Sequence, residues 1–160
     1  MNYFKKIENE IIEKGFKINS KDFNRPWGGF LVIEQSQAQD FVKTFFDSID
    51  IESSKIEEKI TAKILIVKPG SKLSWLYHRR RVEIWRVYKG TIGISRSYDD
   101  LEKPMIVLKE NDEIKLEKRE RHRLIGLDDF AVISEIWQHT DPDNPSDEND
   151  IVRIYDDYGR

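Results

Sequence analysis

The stretch from Gly70 to Gly90, "GSKLSWLYHRRRVEIWRVYKG", contains the pattern from which the fold can be predicted. A short apolar segment leads to His78 and then to three consecutive arginines. The run that follows alternates, so that Glu83 and Trp85 share one face, which is the period of a β-strand. We therefore predict two strands joined by a turn at Arg79 to Arg81.

The arginines of this turn allow a second interpretation, a basic patch for a polyanion such as nucleic acid. The chain has 27 Lys and Arg against 30 Asp and Glu, a net charge of -3. That balance argues against a nucleic-acid binder, although it leaves a local basic groove open. We expect no nucleic-acid partner and interpret the arginines as turn residues at the entrance of a cavity.

The rest of the chain predicts one domain that is mostly β. From Lys59 onward, short β-branched runs alternate with tight turns, which favours an antiparallel sandwich or barrel over a βαβ fold. Two amphipathic helical patterns come earlier. We expect a single domain over 1–160, with an N-terminal helix in 1–20, an inserted helix in 36–50 and the main barrel in 59–160.

Composition and leader patterns bear on the compartment. The chain has no cysteine, which excludes disulfides and thiolate metal sites. Its first residues lack the apolar core of a signal peptide, and no run approaches the roughly 20 apolar residues that cross a bilayer. The expectation is a cytoplasmic protein without a membrane partner.

The chain has only three histidines, and two of them follow predicted strands. If the chain reverses at the arginine turn, His78, Glu83 and His122 can all point into one barrel. Two imidazoles and a carboxylate form a ligand set for a divalent metal. The alternative, left open by the residues alone, is that both histidines are ordinary polar residues with local partners.

The spacing resembles the first signature of the cupin superfamily. Gly70 is separated by seven residues from His78, which is separated by four from Glu83, and six more lead to Gly90. The second cupin signature is matched only loosely, and only its aspartate and its histidine are retained. The positions of this chain that correspond to the signature are Asp112, Glu117, Arg119, His122 and Gly126.

Within the cupins, four ordered motifs resemble the type II mannose-6-phosphate isomerase family over 25–160. They are "RPWGGF" (25–30), "VKPGSKLSW" (67–75), "HRLIG" (122–126) and "DIVRIYDDYGR" (150–160). The resemblance implies an all-β cupin jelly-roll barrel, a double-stranded β-helix, with helical additions toward the N-terminus. A homodimer is also expected, because small barrels have strand edges to cover.

The resemblance also implies a metal site. The family's ligands are a glutamine, a histidine, a glutamate and a second histidine, and the last three correspond to His78, Glu83 and His122. Leu76 stands at the glutamine position and cannot be a ligand. The expected metal is Zn²⁺, with Mn, Co, Fe or Ni as alternatives, and the loss of the fourth ligand leaves open that no metal is bound.

The implied reaction is the interconversion of an aldose phosphate and a ketose phosphate such as mannose 6-phosphate. We assign catalytic roles to Arg160 and Lys63, and substrate contacts to Ser74, Arg80 and Trp85. The base that would move the proton is not identified by the sequence. The alternative function is a non-catalytic cupin that binds a sugar or a sugar nucleotide with a degraded metal site.

Overall fold

The computed structural model describes residues 2–46, 60–141 and 143–156. Two helices and eleven strands are found in these ranges, and none of the described helices has both the length and the apolar character needed to span a bilayer. The elements are α1 (Tyr3–Glu13), β1 (Ile18–Arg25), β2 (Gly28–Ile33), α2 (Ala38–Phe45), β3 (Ile60–Val67), β4 (Trp75–Tyr77), β5 (Arg81–Lys89), β6 (Ile92–Ser97), β7 (Ile106–Leu108), β8 (Glu113–Leu116), β9 (Arg121–Gly126), β10 (Ala131–His139) and β11 (Val152–Tyr155).

The strands form two antiparallel sheets. The larger sheet has the order β1-β2-β3-β10-β5-β8, and the smaller has the order β11-β4-β9-β6-β7. Strands far apart in the chain therefore lie side by side, as β3, β10 and β5 do at the centre of the six-stranded sheet. The architecture confirms the predicted cupin jelly roll.

The centre of the six-stranded sheet is buried on both faces, which explains the continuous apolar run of β3. Ile64 and Ile66 pack in a core formed with α1 and α2. Leu65 and Val67 point the other way, into a second core shared with the five-stranded sheet. Lys63 has the same parity as Leu65, so its side chain faces the interior between the two sheets.

The N-terminal helix is shorter than the expected range of 1–20. The Asn2 side chain accepts a hydrogen bond from the backbone N–H of Lys5 at 2.8 Å, which caps the start of α1. Gly15, with φ +99°, takes the chain out of the helix, and a strand begins at Ile18. Of the expected inserted helix, α2 is helical over Ala38–Phe45, and 47–50 lie outside the described residues.

Two strands before the expected barrel also belong to the larger sheet. β2 pairs with β3, and β1 pairs with β2. The glycines of "RPWGGF" permit this approach: a Cβ on Gly28, which has φ +143°, would lie 1.9 Å from the carbonyl oxygen of Ile66. The sheet therefore begins before residue 59, and β1 was missed because its polar sequence lacks a clear period.

Candidate metal centre

Three strands bring His78, Glu83 and His122 together between the sheets. His78 follows β4, Glu83 is the third residue of β5, and His122 is the second residue of β9. One nitrogen or oxygen of each lies within 4.8 Å of the others, and all three side chains are buried. The Nε2 atoms of His78 and His122 lie 3.4 and 3.2 Å from the two carboxylate oxygens of Glu83.

Backbone carbonyls orient both imidazoles. Nδ1 of His78 lies 2.7 Å from the carbonyl oxygen of Asp150, and Nδ1 of His122 lies 3.2 Å from that of Glu120. A carbonyl can only accept, so each Nδ1 carries the hydrogen. In the neutral tautomer Nε2 therefore turns a lone pair toward Glu83, an arrangement typical of histidines that bind metals. This donor set fits a divalent cation.

The electrostatics favour the same protonation states. Burial lowers the pKa of His78 to about 3, with Arg81 and His122 acting in the same direction and Glu83 opposing them. Burial would raise the pKa of Glu83, but the neighbouring His78, Arg81 and His122 hold it well below its ordinary value. A neutral imidazole beside an ionised carboxylate is the form that binds a metal.

Arg81 is the cation next to this group. Its Nε lies 2.8 Å from Oε2 of Glu83, and one Nη donates to Nε2 of His78 at 3.1 Å. Its guanidinium carbon also lies 3.6 Å from the ring centre of Trp137. Only 4% of Arg81 is exposed, whereas Arg79 is exposed and Arg80 is intermediate. The arginine run is therefore not one basic surface.

Leu76 occupies the position next to His122 that the resemblance assigns to a ligand. The two residues are direct cross-strand partners in the β4–β9 pair, and both line the cavity. Residues paired in this way project on the same side of a sheet. A side-chain oxygen at position 76 could thus approach a metal, but leucine provides only hydrocarbon. A metal held here would have three protein ligands, with other coordination positions open to water or substrate.

The triad lies at the bottom of a cavity of about 780 Å³, including its open mouth. Lys63, Ser74 and Trp85, which were predicted from the sequence to be site residues, also line the cavity. Arg80 is not among the lining residues; its guanidinium lies 3.5 Å from a carboxylate oxygen of Asp147. Arg160 lies outside the described residues, so its catalytic role stays a prediction.

The cavity is also lined by cationic side chains and a serine. Nζ of Lys63 lies 2.8 Å from a carboxylate oxygen of Glu148 and 4.1 Å from the ring centre of Phe30. The guanidinium of Arg25 lies 5.5 Å from the same ring. Nε of Arg153 donates to Oγ of Ser74 at 3.2 Å. Arg25 and Arg153 were not identified from the sequence, although both fall within the quoted motifs.

Glu135 is a further cavity residue that the sequence reasoning missed. Its carboxylate accepts hydrogen bonds from the indole N–H groups of Trp85 at 2.8 Å and Trp137 at 3.0 Å. Burial and the charge of Glu83 raise its pKa to about 7, against the opposing effects of Lys63 and Arg81. The available signal was a lone carboxylate in the apolar strand "AVISEIWQH".

Sequence comparison assigns most of the chain to one family model and relates it to a much longer protein. Residues 43–156 match the model described as mannose-6-phosphate isomerase C-terminal. The xanthan biosynthesis protein XanB of Xanthomonas campestris pv. campestris is 29% identical over 141 residues, which cover 85% of this chain and 23% of that protein. The chain therefore spans about a quarter of the length of the curated relatives it matches.

Comparison with solved structures finds the same barrel. Vicilin from Solanum lycopersicum (tomato) superposes with a TM-score of 0.56 at 19% identity, covering 83% of this chain and 34% of vicilin. Oxalate decarboxylase from Lactobacillus farciminis, solved as a formate complex, gives 0.55 at 14% identity, covering 89% of this chain and 34% of the decarboxylase. At such identities the likeness shows the cupin fold alone.

Proposed function

Because the chain belongs to the mannose-6-phosphate isomerase C-terminal family, we propose that it is a metal-dependent aldose-ketose isomerase acting on a sugar phosphate such as mannose 6-phosphate. One observation carries the proposal: His78, Glu83 and His122 converge as buried side chains in a cavity that is also lined by lysine and arginine side chains. The complete activity of the longer relatives is not implied, since this chain matches only part of them.

The metal triad suits the chemistry of the reaction. An aldose-ketose isomerisation removes a proton from the carbon next to a carbonyl and leaves negative charge on oxygen. A divalent ion such as Zn²⁺ held by His78, Glu83 and His122 would act as a Lewis acid toward those oxygens. Trp85 lines the same cavity and is buried.

The cationic side chains of the cavity suit the phosphate. Lys63, Arg25 and Arg153 line it, and guanidinium and ammonium groups are the usual protein ligands of phosphate. Glu148, the present partner of Lys63, is 53% exposed and free to turn toward solvent. We assign Lys63 to phosphate binding rather than to the chemical step, because its Nζ lies 2.8 Å from a carboxylate oxygen of the exposed Glu148.

A second candidate is a non-catalytic cupin that binds a sugar or a sugar nucleotide. Two observations favour it: Leu76 provides no ligand atom, and Arg81 donates to both His78 and Glu83, where a metal would bind. In such a protein the guanidinium would take the structural role of the cation. The same cavity and the same mouth cations would then serve binding alone.

The deciding experiment combines metal analysis with an isomerase assay. We expect purified protein to contain close to one divalent metal per chain and to convert mannose 6-phosphate to fructose 6-phosphate. His78→Ala should lose both. Glu8→Gln is the control, because Glu8 is a buried carboxylate bonded to Lys5 and Lys21 and does not line the cavity. Protein that contains no metal and stays inactive after addition of Zn²⁺, Mn²⁺ or Co²⁺ would instead support the binding function.

A further inference from the structure

Glu135 lies at the centre of the six-stranded sheet with its carboxylate in the cavity. Its direct cross-strand partners are Lys63 on β3 and Trp85 on β5. It has the same parity on β10 as Ile133, which packs in the core between the sheets, so its side chain points inward. Only 4% of Glu135 is exposed, and it lines the same cavity as His78, Glu83 and His122.

Two tryptophans fix the orientation of this carboxylate. The indole of Trp85 donates to one oxygen and the indole of Trp137 to the other, at 2.8 and 3.0 Å. Each carboxylate oxygen can accept about two hydrogen bonds. Each oxygen can therefore accept one more hydrogen bond in addition to the one from its indole. The indoles orient the carboxylate and leave it able to accept a proton.

Resting on the proposed isomerisation, we propose that Glu135 is the catalytic base that carries the proton between the two reacting carbons. The other carboxylates of the cavity are less suited to this role. Glu83 faces both imidazoles and Arg81, and Glu148 is bonded to Lys63 at the exposed mouth. Glu135 is buried, close to the triad and bonded to neutral donors.

The electrostatic environment supports the same role. The charged groups that face Glu135 are Glu83 and Arg81 from β5 and Lys63 from β3. Burial and Glu83 raise the pKa of Glu135 to about 7, while Lys63 and Arg81 oppose them. A group that both takes up and returns a proton at neutral pH works best with a pKa in that range.

The proposed isomerisation balances in atoms and electrons without an added reactant. Glu135 takes the hydrogen on C2 of the aldose phosphate as a proton, and the electron pair of the C2–H bond becomes the C1=C2 bond. The π pair of the C1 carbonyl moves onto O1, giving an enediolate. A proton passes from O2 to O1, the O2 electron pair forms the C2 carbonyl, and the C1=C2 pair takes the proton back from Glu135 at C1.

Substitution of Glu135 tests the role directly. Glu135→Gln removes the base and should lower kcat by about 10²–10⁴-fold. Metal content and the Kd for mannose 6-phosphate, measured by calorimetry, should change by less than about threefold. Glu135→Asp keeps the base but retracts it by one methylene, and should retain an intermediate kcat. Glu8→Gln is the matched control, since Glu8 is a buried carboxylate with two lysine donors outside the cavity.

Exchange in D₂O separates proton transfer from structural damage. The proton held by Glu135 can exchange with solvent before it returns, so the wild type should place some deuterium on C1 of the product. Glu135→Gln should lose this exchange while still binding metal and sugar phosphate. If Glu135→Gln isomerises within tenfold of the wild type, Glu135 is not the base, although the isomerase function stands. If the wild type neither isomerises nor exchanges with its metal loaded, both proposals are wrong.

Discussion

Leu76 is the residue that most directly limits how a metal could be bound. It lies opposite His122 in the β4–β9 pair and lines the cavity, so the backbone geometry of a fourth ligand position is retained. What is missing is a donor atom. The sequence shows a leucine where the resembling family has a glutamine. In the structure the side chain at position 76 still lines the cavity beside His122.

Leu76→Gln should restore a fourth ligand. An amide oxygen suits hard divalent ions such as Mn²⁺, and we expect its addition to lower the Kd for Mn²⁺ by about tenfold, which corresponds to about 1.4 kcal/mol. The free energy of unfolding of the metal-free variant should fall, because Leu76 is only 9% exposed and a polar amide replaces it. Calorimetric titration with Mn²⁺ measures the first effect, and urea denaturation measures the second.

Leu76→Met is the matched variant, since it has a similar volume and no oxygen. It should leave the Kd for Mn²⁺ unchanged. A Leu76→Gln protein that binds Mn²⁺ no more tightly than Leu76→Met would show that position 76 does not reach the metal.

Strand parity explains why Arg81, and not Arg80, lies in the cavity. Arg81, Glu83 and Trp85 alternate along β5 with their side chains on one face, and all three line the cavity. In the sequence, strand parity predicts that Glu83 and Trp85 face inward, but it does not show that β5 begins as early as Arg81. Where a strand begins depends on its pairing with β10, which holds Arg81 opposite His139 and cannot be read from local sequence.

The turn between β4 and β5 is held by one carboxylate. Asp150 accepts hydrogen bonds from the backbone N–H groups of Arg79 and Arg80, both at 2.9 Å, and from Oγ of Ser146 at 2.6 Å. Its own carbonyl accepts from Nδ1 of His78. Burial would raise the pKa of Asp150, but these hydrogen bonds hold it below its ordinary value. The segment before β11 therefore positions a candidate ligand.

Asp150→Ala should loosen this turn. Loss of three charge-assisted hydrogen bonds is expected to lower the free energy of unfolding by about 2–4 kcal/mol. The orientation of His78 should also relax, which would weaken metal binding about 10–100-fold. Chemical denaturation and metal titration measure the two effects. Asp112→Ala is the control, because Asp112 accepts a hydrogen bond from the backbone N–H of Lys109 in a turn that is not part of the cavity. Equal losses of metal affinity in the two variants would contradict this role of Asp150.

The turn between β8 and β9 contains an arginine in a conformation that suits glycine. Arg119 has φ +66°, is exposed, and stands where the loosely matched cupin signature has its glycine. Its backbone N–H donates to the carbonyl of His78 at 2.8 Å, so the conformation is needed to join the two turns of the site. The left-handed region is unfavourable for a residue with a Cβ.

Arg119→Gly should therefore stabilise the protein by up to about 1 kcal/mol, after the greater entropy of glycine in the unfolded chain is subtracted. Asn111 also has a positive φ, of 74°, but asparagine tolerates it. Asn111→Gly should give a smaller change. The midpoints of urea unfolding measure both, and a destabilised Arg119→Gly would show that its side chain, rather than its backbone, decides the stability of this turn.

At the scale of the whole molecule, the part of the fold that could be predicted was the part whose apolar residues recur with the period of a β-strand. The alternating and β-branched runs from residue 60 onward gave the barrel strands, and the spacing of Gly70, His78 and Glu83 gave the superfamily. The strand Ile18–Arg25 was missed, because it has mostly polar residues and owes its conformation to pairing with β2. Glu135 was missed because its significance depends on two tryptophans that only the folded sheet brings to its oxygens.

Two buried groups of the cavity should shape the pH dependence of stability in opposite directions. In metal-free protein the pKa of His78 is lowered to about 3 by burial, so the unfolded chain binds a proton below about pH 6.5 that the folded chain does not. Stability therefore falls as the pH falls from 6.5 toward 3. Glu135 acts the other way, because its pKa is raised to about 7. Its protonation stabilises the folded state below pH 4.5, and this contribution is lost as the pH rises through 7.

Glu135→Gln should remove the second effect and leave the first. The difference in free energy of unfolding, variant minus wild type, is therefore expected to become more positive by about 3 kcal/mol between pH 4.5 and pH 8, since one unit of pKa corresponds to about 1.4 kcal/mol. Urea denaturation in EDTA at several pH values measures it. Burial would raise the pKa of Glu8, but hydrogen bonds from Lys21 and Lys5 hold it below its ordinary value. The Glu8→Gln difference should therefore stay nearly constant between pH 4.5 and pH 8 and change, with the opposite sign, only below about pH 4.5. If the Glu135→Gln difference does not change with pH, Glu135 is ionised in the folded protein throughout this range, and the environment of its carboxylate is more polar than the buried indole pair indicates.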